Sequence, residues 1–449
     1  MLLAMRNGPR LCRDMSKAFN TSLMGCYNSA DLERLVLRTS ESEFNSINVS
    51  TAIHRLGKLR KAENFTTPRS RECLNKLFTL ASRAVTMNPQ TLVNIMMGIA
   101  NGRLALDFPP FLYRELERNQ RFLRDFSPQA MSTLFMSFAA LGLEFPQDQI
   151  KFYLAELERR DASKFHDLDF PQLLMGLATL RLHSPVVFNR LSGVLTSSHI
   201  INGKQHQRLM DFPIMSLTNV LWSYAEMGIP NKLLVSTIAQ CLVKMPLVKE
   251  ADHKFIIKLM WSFACLDELN EPNVQQFFQI QYPVFVERIP LTSRLYLQTR
   301  LAWNQTHSPD QPSALLQKLD SAAVGTQVEI ADSLVRHRRK QLSTTASRIL
   351  DFFQQRFSND QAKLHFPINK GLYVDLCFPE KKLVVELETP NQYTVGGEAL
   401  LGSSLFFRRL VKREGYQLVV INLKQFETNY SAREQTNLLE TLARQIQEL

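Results

Sequence analysis

Apolar residues recur along this chain in one phrase: Ile95-Met96-Met97-Gly98-Ile99-Ala100, Leu134-Phe135-Met136-Ser137-Phe138-Ala139, Leu173-Leu174-Met175-Gly176-Leu177-Ala178, Val220-Leu221-Trp222-Ser223-Tyr224-Ala225 and Leu259-Met260-Trp261-Ser262-Phe263-Ala264. Its third position advances by 39, 39, 47 and 39 residues, and a weaker copy, His54-Arg55-Leu56-Gly57, precedes the set. A fixed period of this size predicts a solenoid of helix pairs, each burying its apolar face by stacking on the next. The Gly or Ser between large apolar residues suits close approach of two helices. Asn94 and Asn219 stand just upstream, toward the polar side.

Each phrase is followed by a break and a second apolar-periodic run. Pro109-Pro110 precede Phe111 to Arg118, Pro146 precedes Ile150 to Leu157, and Pro230 precedes Leu233 to Val243. Proline is tolerated at a helix start and disfavoured inside, so these prolines mark second helices. Residues 46–305 therefore read as five or six antiparallel helix pairs, and residues 306–343 as a polar linker with the basic run Arg336-His337-Arg338-Arg339-Lys340. Trp222 and Trp261 fall inside the apolar phrase, which favours core packing over base stacking.

Beyond Ser343 the period changes. Ile349, Leu350, Phe352 and Phe353 mark a helix over 344–357. Leu372, Val374, Leu376 and Phe378 then alternate with Tyr373, Asp375 and Cys377, and after Pro379-Glu380-Lys381-Lys382 the residues Leu383, Val385 and Leu387 alternate with Val384, Glu386 and Glu388. Period-two alternation around a turn predicts a β-hairpin. It sets Asp375, Glu386 and Glu388 on the face opposite the apolar set, ordinarily a solvated one. Residues 399–414 predict a helix closed by Gly415, with Arg408, Arg409, Lys412 and Arg413 as its basic residues. A strand over 416–423 and a helix over 432–447 end the chain. The fold class is mainly α, a helical solenoid followed by a small α/β domain over 344–449.

The chain of 449 residues has 53 Lys+Arg against 42 Asp+Glu, a net charge of +11. That excess favours a polyanionic partner, nucleic acid or an anionic membrane surface. No stretch reaches the roughly 18 apolar residues that a membrane-spanning helix needs. The six cysteines are scattered without a C-x-x-C pair, so reduced thiols and no zinc site are expected. Arg6, Arg10, Arg13 and Lys17 stand among Leu, Met, Ser and Asn with only Asp14 acidic before Asp31, the composition of an organellar import segment. Residues 1–45 read as that segment plus a disordered stretch, with cleavage expected between Ser29 and Ser46.

The C-terminal set resembles the RAP domain, found in organellar RNA proteins of apicomplexans, algae and plants and in the FASTK-like proteins of animal mitochondria. The matching residues are Tyr373-Val374-Asp375, Leu383-Val384-Val385-Glu386-Leu387-Glu388, Arg408-Arg409-Leu410 and Gly415-Tyr416-Gln417-Leu418-Val419-Val420. The upstream array resembles the octotricopeptide or heptatricopeptide-like repeats that commonly precede this domain. The resemblance implies binding of rRNA or mRNA in a mitochondrion or plastid, the mitochondrial matrix by preference, with roles in RNA processing, stability, translation or ribosome assembly. A structural subunit of the organellar ribosome, beside ribosomal proteins, is an alternative. Arg336, Arg338, Arg339, Lys340, Arg408, Arg409, Lys412 and Arg413 are the RNA-binding candidates.

The RAP domain is in turn similar to the PD-(D/E)xK nuclease fold, in which an Asp and a Glu on adjacent strands hold a divalent metal. Asp375 and Glu386 occupy those positions, so Mg²⁺ is the one cofactor the resemblance suggests, and a metal-dependent RNA endonuclease is the enzymatic alternative. The signature Lys is replaced by Glu388. Where family members carry E-x-D-G-x-x-H, this chain has Glu386-Leu387-Glu388-Thr389-Pro390-Asn391-Gln392, without the Gly or the His. A binding protein with a degenerate remnant at Asp375, Glu386 and Glu388 is the expectation, because the usual proton carrier and cation are missing, with Lys412 or Arg408 on the following helix able to supply the charge.

Overall fold

The structure is a computed structural model that describes residues 16–60, 67–83, 87–104, 109–120, 123–142, 147–201, 204–246, 253–288, 343–358, 361–369, 372–397 and 399–449. The basic run at Arg336 to Lys340 and most of the expected linker lie outside the described residues. The fold is mostly α-helical, with repeated helix pairs and a small C-terminal mixed sheet. Two compact units divide at residues 194 and 195.

In the first unit a helix over 16–25 (α1) and α2 (Ser29–Arg38) precede four pairs: α3 (Ser46–Arg60) with α4 (Pro68–Arg83), α5 (Pro89–Gly102) with α6 (Pro110–Gln120), α7 (Pro128–Leu141) with α8 (Gln147–Arg159), and α9 (Asp169–Thr179) with α10 (Pro185–Leu195). Of the prolines expected to mark second helices, Pro110 opens α6, Pro230 stands just before the Asn231 cap of α12, and Pro146 lies outside the described residues; Pro68 and Pro185 open second helices as well. Proline also opens first helices at Pro89 and Pro128, where the Asn88 and Ser127 side chains accept from the Thr91 and Ala130 amides. The first helices stack on each other, α3 on α5, α5 on α7 and α7 on α9. A Cβ at Gly57 would fall on the Gly98 carbonyl oxygen, one at Gly98 would meet the Ile53 oxygen at 2.6 Å, and one at Gly176 would meet the Phe135 carbonyl carbon at 2.8 Å. Backbone therefore rests on backbone at these crossings. Where the phrase carries Ser137, its hydroxyl donates back to Thr133 O at 2.7 Å, so the buried polar atom is satisfied within its own helix.

The expected disordered stretch through residue 45 does not hold for residues 16–45. Leu23, Leu32 and Val36 are fully buried, and the Arg55 guanidinium donates to Cys26 O at 2.8 Å. Arg60, from the end of α3, pairs with Glu33 of α2 and reaches Ser70 of α4, all three buried. Short polar breaks and the basic Arg34 and Arg38 obscure this amphipathic helix in the sequence. Cleavage between Ser29 and Ser46 would remove α1 and, according to where it falls, part or all of α2.

The second unit opens with a hairpin, β1 (Ser198–Ile201) and β2 (Lys204–Gln207), which accounts for the longer 47-residue step. Then come α11 (Ile214–Glu226), α12 (Lys232–Val243), α13 (His253–Cys265) and α14 (Pro272–Arg288), with α11 stacked on α13 and α12 on α14. Ser223 and Ser262 repeat the device of Ser137, each donating to the carbonyl four residues back at 2.7 Å.

The C-terminal part of this unit comprises α15 (Thr344–Arg356), β3 (Lys363–Asn369), β4 (Leu372–Phe378), β5 (Leu383–Glu388), α16 (Gly402–Arg413), β6 (Gln417–Asn422), α17 (Leu423–Asn429) and α18 (Ala432–Glu448). The sheet order is β3-β4-β5-β6, antiparallel except for the parallel last pair. Leu376, Phe378, Leu383, Val385, Leu387 and Ile421 form one core with Ile349, Leu350 and Phe353 of α15, Phe426 of α17 and Leu439, Ala443 and Ile446 of α18. By alternation Asp375, Glu386, Glu388 and Val384 point to the other face, where α16 packs on β6. That face is covered too. The expectation of a solvated face fails because α16, with buried Phe406, Leu410 and Val411, lies over it.

The boundary expected between array and C-terminal domain is not the division between compact units. α16 packs on α11 and α13, which ties the last two helix pairs to the sheet. A Cβ at Gly402 would fall on Ala225 O, Gly228 takes φ +63 beside Leu405, and Trp261 meets Phe406 edge-on at 5.0 Å. Substituting Gly402→Ala must push α16 off the end of α11, so it is expected to destabilise this unit by about 1–3 kcal/mol. Urea denaturation of the purified chain measures this, and an unchanged midpoint would contradict the contact.

Candidate functional site

Register along the first helices brings a recurring set of side chains to one face of each helix. Counting back from the small residue, the position one before it is Met97, Met136, Met175, Trp222 or Trp261, and the position four before it is Asn94, Thr133, Gln172, Asn219 or Lys258. One and four residues differ by three, so in every helix these two side chains are neighbours on one face. Met136, Met175, Trp222 and Trp261 are half-buried, as are Asn94, Gln172, Asn219 and Lys258; Met97 and Thr133 are just buried. Trp222 thus lines a partly open face, whereas Trp261 packs edge-on against the buried Phe406 of α16.

Within the second unit this face has a defined geometry. Lys258 of α13 reaches back to α11, where its Nζ donates to Asn219 Oδ1 at 3.2 Å and lies 4.3 Å from the centre of the Trp222 ring. A cation over an indole face is attracted to the ring quadrupole. Burial pushes the Lys258 ammonium down to about 8, with Glu226 pulling the other way. Sequence reading singled out Asn219 and Trp222 separately; the 39-residue offset between Asn219 and Lys258 was the signal that joins them.

The three carboxylates of the sheet are brought together but put to structural use. The β4/β5 ladder runs from Phe378↔Leu383 to Leu376↔Val385. At its end, side chains continue the pairing: Leu387 N donates to Asp375 Oδ2 at 3.0 Å, and Asp375 N donates to Glu386 Oε2 at 3.3 Å. Asp375, Glu386 and Glu388 are only 2–3% exposed. Glu388 Oε1 accepts from Arg408 Nε at 2.9 Å and Nη2 at 2.6 Å, and its other oxygen accepts from the Tyr393 hydroxyl. Burial, then the Glu388 carboxylate, push the Tyr393 phenol up. Arg408, one of the two residues expected to supply the missing charge, thus neutralises Glu388 through two charge-assisted bonds.

The basic candidates divide. Arg408 is committed to Glu388, and Arg409 Nη2 donates to Ala264 O and Cys265 O at 2.9 and 2.7 Å, capping the end of α13. Lys412 and Arg413, in the last turn of α16, are exposed. Gln392, standing where the resembled family carries His, closes a capping box with Thr389, whose amide donates to Gln392 Oε1 at 2.7 Å. A divalent ion does not fit the donor set: Asp375 and Glu386 each give an oxygen to a backbone amide, Glu388 is held by Arg408, and among the described residues no three His, Cys, Asp or Glu are arranged around a metal. Nor is any described helix long and apolar enough to cross a membrane.

No known family model matches the chain, and no curated protein matches it either.

Two outcomes follow from this geometry. Arg408→Met leaves a buried carboxylate without its cation and is expected to cost about 2–4 kcal/mol, while the double variant Arg408→Met/Glu388→Gln recovers much of that loss. Additive losses in a denaturation double-mutant cycle would refute the pairing. For Lys258, whose value falls from 10.5 to about 8 on folding, the unfolded chain binds more protons between those pH values. The penalty is fully present below about pH 8 and fades toward 10.5. Stability relative to Lys258→Met should therefore rise across that window; a flat difference would mean that Lys258 titrates normally.

Proposed function

We propose that this chain is an RNA-binding helical-repeat protein of an organelle, the mitochondrial matrix by preference, acting in RNA processing, stability, translation or ribosome assembly. The observation that carries this reading is the recurring face of the first helices. Amide, hydroxyl and ammonium groups alternate there with methionine and tryptophan, the side-chain types that hydrogen-bond and stack against unpaired bases. A net charge of +11 supplies the sequence-independent attraction to phosphate.

The C-terminal part is, in this reading, a RAP domain with a PD-(D/E)xK ancestry. Supporting it are the four-stranded mixed sheet and the Asp375/Glu386 pair at the end of the β4/β5 ladder. Its work is to lock onto the last helix pairs and extend their basic surface, with Lys412 and Arg413 free of the contacts that occupy Arg408 and Arg409 on the same helix. An endonuclease reading would need Glu388 released and a cation supplied in its place.

Fluorescence anisotropy with labelled single-stranded RNA tests the proposal. The logarithm of affinity should fall linearly with the logarithm of salt concentration, and Lys412→Gln/Arg413→Gln should reduce the slope by about one to two. Neutralising Arg336, Arg338, Arg339 and Lys340 is expected to reduce it further. Absence of salt-dependent binding would sink the proposal, and Mg²⁺-dependent cleavage lost in Asp375→Asn would replace it with the nuclease.

A further inference from the structure

The crossing of α11 and α13 gathers hydrogen-bond donors from two consecutive repeats. Lys258 and Asn219 occupy the same register position, and the ammonium is set by Trp222 at 4.3 Å and by Asn219 Oδ1 at 3.2 Å. Because that amide oxygen already accepts from Lys258, the pair's further capacity is chiefly N–H: the Asn219 Nδ2 group and the remaining ammonium protons. Glu226, one turn beyond Trp222 on α11, is close enough for its carboxylate to act on Lys258. The crossing thus sets hydrogen-bond donors beside an indole ring.

Resting on the RNA-binding reading, we propose that this crossing takes one unstacked keto base, guanine or uracil, of single-stranded RNA, with Lys258 donating to O6 or O4. Guanine and uracil carry a carbonyl acceptor at that atom. Adenine and cytosine carry an amino group there, so donor would face donor and no hydrogen bond would form. Holding the ammonium in place before binding lowers the entropy lost on contact. A lysine kept only for phosphate would need neither the indole nor the amide, and it would not discriminate among bases.

In vitro selection with the full chain and a random single-stranded RNA pool separates these roles. The wild type should enrich G and U over A and C about tenfold at one position. In Lys258→Met that position should become even, while preferences elsewhere persist. Should Lys258→Met fail to fold, Asn219→Asp removes the amide donors and ties up the ammonium, and it should weaken the same preference. An unchanged profile in the variants, or a uniform loss of affinity for every sequence, overturns the inference and leaves RNA binding standing. If the wild type recovers no RNA, both fall together.

Discussion

Backbone resting on backbone at the first-helix crossings is the constraint on which the rest depends. Gly57, Gly98 and Gly176 leave no room for a Cβ, so the helices meet at one fixed register. A side chain there would separate them and open the apolar faces on either side to water. At the α11/α13 crossing Ser223 and Ser262 stand at that place, and the residues four earlier, Asn219 and Lys258, come within hydrogen-bonding distance across two repeats. Serine at the same place works only because its hydroxyl turns back to its own helix, as at Ser137, Ser223 and Ser262.

The second device is α16, whose two sides face different partners. Arg408 turns to the sheet and neutralises Glu388, while its neighbour Arg409 turns to the end of α13 and caps it. Successive residues on a helix diverge by about 100°, so an Arg-Arg pair suits a helix held between two surfaces. Gly402 allows the N-terminal end of α16 to touch α11, and Phe406 meets Trp261 midway. The last helix pairs and the sheet consequently share one compact unit.

Much of this architecture was legible in the sequence. The 39-residue phrase marks the first helices and their small residues, and period-two alternation places β4 and β5 over the residues found. β3 was hidden because a proline inside the run, Pro367, argues against a strand, yet an edge strand tolerates it at the bulge between Pro367 and Asn369. The site was less legible. Alternation shows that Asp375, Glu386 and Glu388 share a face, but not that a helix covers it; Arg408 lies 20 residues from Glu388, and nothing local signals their pairing. A basic run reads as RNA-binding until its partners are visible, as Arg408 and Arg409 show.

Burial finally decides how the carboxylates should be understood. A metal site for phosphate chemistry must leave carboxylate oxygens pointing into space that substrate can enter, whereas these oxygens complete the sheet. Asp375 and Glu386 take over from the ladder where β4 and β5 part, each accepting a backbone amide that would otherwise be left unpaired in the interior. Glu388 lies further along β5, and Arg408 satisfies it from the covering helix. Removing the strand separation would make Asp375 and Glu386 unnecessary, and removing α16 would expose them. The cluster is coupled to the docking of α16, and through α16 to the ends of α11 and α13. A face that reads RNA on those helices would therefore be held in shape by carboxylates that never touch it.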